Sequence, residues 1–221
     1  MSAPGIIKID NLAAGFNGRV LIEGLCADIA PGQRVLIAGA SGSGKSTLLR
    51  CMLGFTAPVA GTISFGGVRL DGHSVWQLRR RMAYVPQEPI FQHGVVMDIL
   101  KMPFKYRSNS HLVWDDVKVE GMLERFGFAK NIKTAQSEEL SGGEKQRIAI
   151  IAAMLLDREY LFLDEPTSAL DAASKTVFTD IMRQMKDTTI VLVSHDETNA
   201  QIADRRIDIT QYMRKAAENV G

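Results

Sequence analysis

The sequence predicts an α/β chain: an open-sheet core built around a phosphate-binding loop, a small β layer ahead of it and a helical insertion within it. Three observations carry this. The apolar run Val35-Leu36-Ile37-Ala38 leads into Gly39-Ala40-Ser41-Gly42-Ser43-Gly44-Lys45-Ser46-Thr47, and Leu48–Leu53 continues as a helix start. Two further apolar runs, Tyr160–Leu163 and Thr189–Val193, end on the polar residues Asp164-Glu165 and Ser194-His195-Asp196. From Glu88 to Leu140 strand signals fade, and Val113, Val117, Met122, Leu123 and Phe126 fall at helical spacing.

The central stretch has the form G-x-x-x-x-G-K-[ST] between a buried strand and a helix, the context that gives that pattern its meaning. Glycines at 39, 42 and 44 let the backbone curl with its N–H groups inward, where a side chain would block a phosphate. The helix start presents unpaired N–H groups and a positive dipole end to the same place. Lys45 adds a mobile charge for β- and γ-phosphates, and the Ser46 hydroxyl suits Mg²⁺. A flexible glycine–serine loop would not need a lysine there.

Composition bounds the rest. At 221 residues the chain can bury a substantial core. Lys and Arg number 26 against 25 for Asp and Glu, a net charge of +1, so no global field favours nucleic acid or anionic lipid. Cys26 and Cys51 fit no metal spacing and are expected to be small buried hydrophobes. Met1–Gly5 lacks the pattern of a secretory leader, and no run approaches the roughly 20 apolar residues of a membrane span. The expectation is a cytoplasmic protein that reaches a membrane only through another chain.

In order along the chain, Ile6–Ile9 and Val20–Ile22 read as short strands around the turn-like Ala14–Gly18. On that turn Phe16 either plugs the β layer or stacks on an adenine ring. Pro31-Gly32 marks a turn, and Thr62–Phe65 alternates as a half-exposed strand ending at Gly66-Gly67. Ser74–Arg81 is a short helix candidate whose Arg79-Arg80-Arg81 reads as a solvated face rather than a nucleic-acid contact. Met82–Val85 is a strand ended by Pro86-Gln87, with Gln87 at a strand's carboxyl end. Lys101–Arg107 mixes basic and aromatic residues as a surface loop. Asp164 is placed to reach Mg²⁺, and Glu165 beside it to orient and deprotonate an attacking water. After Asp171 a helix carries Val177, Phe178, Ile181, Met182 and Met185 inward. Of the four histidines only His195 meets the phosphates; His73, His93 and His111 are expected to be bland.

The stretch Leu140-Ser141-Gly142-Gly143-Glu144-Lys145-Gln146-Arg147 is a second anion-ready helix start, with Ser141 as cap and Glu144 closing a capping box. With it, the chain resembles the ATP-binding-cassette (ABC) ATPases over nearly its whole length. In order, Gly39–Thr47 matches the Walker A loop, Gln87 the Q-loop and Ser141–Glu144 the signature. Asp164 matches the Walker B aspartate, Glu165 the catalytic glutamate, Ser168–Asp171 the D-loop and His195 the switch histidine.

The resemblance implies a P-loop NTPase (RecA-like) core with an N-terminal antiparallel β subdomain and an inserted α-helical signature subdomain. It implies one ABC ATPase domain over 1–221, with 1–87 and 156–221 as core and 88–155 as the helical part. ATP and Mg²⁺ are the implied cofactors, with Lys45, Gln87, Glu165 and His195 catalytic and Ser46, Gln87 and Asp164 serving the metal. Phe16 matches the adenine-stacking position, where the family more often has Tyr. Two copies are expected to pair when ATP-bound, the signature of one closing on the phosphates of the other. The implied partner is a transmembrane permease on the cytoplasmic face of the inner membrane. Ile99–Phe104 and the basic residues after it look like small bacterial cassettes linked to iron or metal export. A soluble assembly ATPase, such as one serving iron–sulfur cluster formation, shares these motifs and is the alternative.

Overall fold

The computed structural model describes residues 4–16 and 18–214. The chain opens with β1 (Ile7–Phe16), β2 (Arg19–Ile29) and β3 (Arg34–Ala38), then α1 (Lys45–Met52), β4 (Ala60–Phe65), β5 (Val68–Arg69), α2 (Val75–Arg79) and β6 (Met82–Val85). A helical stretch follows: α3 (Val96–Lys101), α4 (Asp116–Arg125) and α5 (Gly142–Leu155), with short 3₁₀ turns between them. The chain returns through β7 (Tyr160–Asp164), α6 (Ala172–Gln184), β8 (Thr189–Val193), α7 (Glu197–Ala200) and β9 (Arg205–Asp208).

These strands make two sheets. The antiparallel one has the order β2-β1-β4-β5 and the parallel one β6-β7-β8-β3-β9. Residues on each central parallel strand alternate between two separate cores, because successive side chains leave a strand on opposite faces. Leu36, Ala83, Val85, Leu161, Leu163, Ile190 and Leu192 join the helical stretch and α6 in one core. Val35, Ile37, Met82, Tyr160, Phe162, Val191 and Val193 join α1 and the antiparallel sheet in the other. Both faces are therefore covered, as a parallel sheet requires.

Several expectations are corrected. The hairpin is longer than the short runs suggested: β1 and β2 pair from Ile7↔Ile29 to Phe16↔Arg19, so Ala14–Phe16 is strand, and register shifts along β1 hide its alternation. Asn17 lies outside the described residues. Val113 precedes α4, and both it and Val117 are exposed, whereas Val119, Met122 and Leu123 are buried. The buried set includes Val119, which the helical-spacing reading passed over. Cys26 is exposed at the antiparallel sheet, and only Cys51 is buried, which pushes its thiol up to about 11.

Of the arginine triplet only Arg80 is exposed as a solvated face would be; Arg79 and Arg81 are engaged. Arg79 donates to the carbonyls of Leu53 (3.0 Å) and Gly54 (2.8 Å), and its guanidinium lies over Phe55 and Trp76. Arg81 grips Glu159 through two hydrogen bonds of 2.8 and 2.6 Å. The strand β9 escaped the sequence reading because its two leading arginines are exposed. It pairs parallel with β3 at the sheet edge, and Arg34 pins it through Asp204 at 2.6 Å. The Asp204 carboxyl, held by this guanidinium, sits below the usual carboxylate range.

The two sheets meet at a set of aromatic rings. Phe65 of β4, fully buried, stands edge-on to Tyr160 (centroids 5.1 Å apart) and Phe162 (6.3 Å) of β7. Replacing a buried phenylalanine removes apolar area and leaves a cavity that its neighbours only partly fill. Phe65→Ala is expected to lower unfolding free energy by about 3–5 kcal/mol, read from the shift of a urea or guanidinium midpoint.

Candidate functional site

Neighbouring parallel strands end at one level. Val85 pairs with Leu163, Asp164 with Val193, and Ile37 with Val193. The residues that follow, Pro86-Gln87, Glu165, Ser194-His195 and Gly39 onward, therefore emerge together. A cavity of about 610 Å³ opens there, lined by Leu21, Gly39, Ser41, Gly42, Gly44, Lys45, Ser46, Thr47, Gln87, Glu165, Val193 and His195. This is the site expected at the carboxyl ends of strands in an open α/β sheet.

Its floor is the glycine-rich loop. Gly42 (φ 75°) and Gly44 (φ 98°) hold left-handed backbone that side chains disfavour, and Gly44 caps α1. A Cβ on Gly39 would stand 2.6 Å from Ser43 Oγ and 3.0 Å from Ile209 Cγ1. Ser43 Oγ is itself buried with no hydrogen-bond partner among the described residues. Lys45 Nζ donates to the carbonyls of Gly39 and Ala40, both at 2.9 Å, and folds back over the loop. Two of its three protons are engaged, and the third remains for a ligand. The first-turn N–H groups of α1 have no acceptor within the helix.

The wall is carboxylate. Ser46 Oγ donates to Asp164 Oδ1 at 3.4 Å. Burial raises the Asp164 carboxyl above its usual range, opposed by the Ser46 hydrogen bond and by Lys45 and Arg50. Glu165 adopts φ 45°, a left-handed conformation costly for a residue with a Cβ. Its N–H donates to the Val193 carbonyl at 2.8 Å, which fixes the turn. Its carboxylate accepts from Ser194 Oγ (3.0 Å) and the His195 amide (3.4 Å), and its Oε1 lies 2.8 Å from His195 Nδ1. An ionised carboxylate only accepts, so the hydrogen of this contact sits on Nδ1, and Glu165 does not engage Nε2. The ring of His195 is 76% exposed while Glu165 is 10% exposed.

The remaining candidates fall outside this cavity. Phe16 stands exposed at the end of β1, on the hairpin whose second strand supplies Leu21. Ser141 caps α5 as expected: its Oγ accepts from the Glu144 amide, and Glu144 Oε2 accepts from the Ser141 amide at 2.9 Å. The Ser141 hydrogen bonds hold the Glu144 carboxyl below its usual range. This helix end abuts the segment after Glu165, for a Cβ on Gly143 would meet Ala169 O at 2.7 Å. It does not line the phosphate-loop cavity of its own chain.

Sequence reasoning missed two features. Gln146 is fully buried on α5, its Nε2 donating to the Pro86 carbonyl at 3.4 Å while its Oε1 has no partner among the described residues. It ties the helix of Ser141–Glu144 to the turn that carries Gln87. A glutamine between Lys145 and Arg147, just ahead of the apolar run of α5, is the only sequence signal for it. Second, Asn199 donates to Thr167 Oγ1 and Ser194 Oγ, both at 2.8 Å, bracing the Glu165 turn from α7.

Comparison with known proteins agrees with this geometry. Residues 22–168 match the family model described as ABC transporter. The chain is 34% identical over 194 residues to the mesentericin-Y105 transport/processing ATP-binding protein MesD of Leuconostoc mesenteroides, covering 86% of this chain and 27% of that protein. It is 33% identical over 207 residues to the Fe(3+) ions import ATP-binding protein FbpC 2 of Rhodococcus jostii (strain RHA1), covering 90% of this chain and 58% of that one. The chain thus spans about a quarter and somewhat over half of these two relatives. A solved bacterial Atm1-family ABC exporter with ATP bound shares the fold at a TM-score of 0.82, with 24% identity over 97% of this chain and 40% of that one. Loop, strand ends and family match converge: the chain belongs to the ABC transporter family.

Proposed function

We propose that this chain hydrolyses ATP in the phosphate-loop cavity and that the cycle drives a transmembrane permease. The observation that carries the reading is the single cavity joining Lys45, Ser46, Gln87, Glu165 and His195. Lys45 and the loop amides take the β- and γ-phosphates, and Phe16 offers a ring face to the base. Ser46, Asp164 and Gln87 supply hard oxygen donors that fit Mg²⁺, and the orphaned Ser43 hydroxyl lies beneath the same loop. Mg²⁺, when bound, neutralises charge on the phosphates.

Glu165 is the general base that takes a proton from the attacking water. Ser194, the His195 amide and the imidazole hold its carboxylate in place. His195, exposed at the mouth, contacts the γ-phosphate. Catalysis is then mostly positioning and charge stabilisation by groups already in place.

The exposed Ser141–Glu144 helix end has an anion-ready geometry and no ligand of its own chain. We assign it to the γ-phosphate of a second copy, which makes ATP the bond between two cassettes. The helical stretch 88–155 faces the permease. Support for that comes from an apolar groove of about 220 Å³ beside Gln87, whose lining includes Tyr84, Pro86, Ile90, Phe91, Pro103, Ala152 and Leu156. Ile90 is 93% exposed there. No helix among the described residues is long and apolar enough to cross a membrane, so the permease is a separate segment or chain. The cassette sits on the cytoplasmic face of that membrane. Iron or metal export rests on the Ile99–Phe104 resemblance alone. FbpC 2 is named for iron import and MesD for transport and processing, so cargo and direction belong to the permease.

Glu165→Gln is expected to retain ATP binding while hydrolysis falls roughly a hundredfold or more, and ATP then holds the cassettes as a dimer in size-exclusion chromatography. Near-parental phosphate release in that variant would remove Glu165 as the base. Gly39→Ala drives a methyl into Ser43 and Ile209, and titration with a fluorescent ATP analogue should show affinity weakened by about tenfold or more. Gentle purification from native membranes is expected to bring a multi-spanning membrane protein along in equal amount. Recovery with soluble partners only, and none from membranes, would replace the permease by an assembly role.

A further inference from the structure

Arg81, Arg158 and Glu159 immediately precede β6 and β7, whereas Gln87 and Glu165 follow those strands. The two ends lie roughly 15 Å apart at about 3.3 Å per strand residue. At the far end, a second cavity of about 540 Å³ is walled by charged side chains from three parts of the fold. Arg80 and Arg81 come from the end of α2, His111 from the turn before α4, and Asp157, Arg158 and Glu159 from the loop after α5, so two carboxylates share the wall with three guanidinium groups.

The charges here are unevenly spent. Arg81 is matched by Glu159 at 2.6 Å. Arg80 and Arg158 make no ion pair among the described residues. Arg80 has one long hydrogen bond, to the Ser108 carbonyl at 3.5 Å. Arg158 reaches the Asn109 side chain through one nitrogen, and its Nε is buried with no partner among the described residues. Burial, and then the neighbouring Arg80, lower the Arg158 guanidinium from its ordinary value, with Asp157 opposing. Two guanidinium groups repelling one another on a cavity wall are stabilised by an anion between them.

We infer that Arg80, Arg158 and His111 form a binding site for a phosphoryl group, separate from the nucleotide pocket and assigned to no step of ATP hydrolysis. Donors on three different segments suit an anion that offers three oxygens in a tetrahedron better than the two coplanar oxygens of a carboxylate. The cavity is in the range of small-molecule sites and much larger than free phosphate. Leu112 and the Gln77 stem offer the remaining space an apolar and a hydrogen-bonding surface. The ligand class is therefore a small phosphomonoester, with inorganic phosphate as the minimal occupant. The inference stands on residues that the ATPase reading does not use.

The test is isothermal titration of the full chain, first saturated with Mg²⁺ and a non-hydrolysable ATP analogue so that the nucleotide pocket is filled. Inorganic phosphate and glucose 6-phosphate are the two probes. Saturable binding of both is expected, tighter for the ester, and Arg80→Gln should weaken each roughly tenfold or more while nucleotide affinity is unchanged. Arg80 is exposed, so its loss spares the core; Arg158→Lys, which keeps the charge and loses the fork, should fall between parent and Arg80→Gln. Absence of saturable binding by either probe would overturn the site, as would equal binding by the parent and Arg80→Gln.

Discussion

Hydrogen-bond register between parallel strands is the constraint on which the rest of the molecule depends. Leu163 opposite Val85, and Val193 opposite both Asp164 and Ile37, place the loops after these strands in one cluster. A one-residue slip of a strand flips every one of its side chains to the other face. The position of Glu165 relative to Lys45 is thereby set by backbone pairing well before either side chain meets a ligand. The left-handed backbone of Glu165 is the local cost, offset by the Val193 carbonyl and by the bracing of Ser194, Thr167 and Asn199.

Much of this was legible because the sequence carries signals that are local. Met82–Val85, Thr189–Val193 and the cap at Ser141 occur where apolar runs and capping chemistry predicted them. The glycine loop was legible for the same reason: its residue types follow from what a phosphate and a tight backbone require. What escaped reading depends on distant partners. Arg205-Arg206 has the composition of a solvated loop, and only the edge of a sheet whose neighbour is Arg34–Ala38 makes it a strand. Arg79 and Arg81 look like surface charge until Leu53, Gly54 and Glu159 arrive from elsewhere in the chain. Gln146 is of the same kind, since nothing nearby in sequence announces the Pro86 carbonyl.

Gln146 also shows how the two anion-ready helix starts are related. The first, at Lys45, belongs to the cavity; the second, at Gly142, is exposed and capped by Ser141 and Glu144. The buried amide joins the second to the turn bearing Gln87, at the edge of the first. A buried amide with one long hydrogen bond and an oxygen that has no partner among the described residues is a weak tie.

The alternation of each central strand between two cores has an evolutionary corollary. Leu161 and Leu163 face the helical stretch, while Tyr160 and Phe162 face α1 and the antiparallel sheet. Substitutions on one face meet a different set of packing neighbours from those on the other. The helical side can therefore drift and be recut for new associates without repacking the side that supports the phosphate loop. A sheet that serves as a common wall between two rooms lets one be refurnished while the other stays in use.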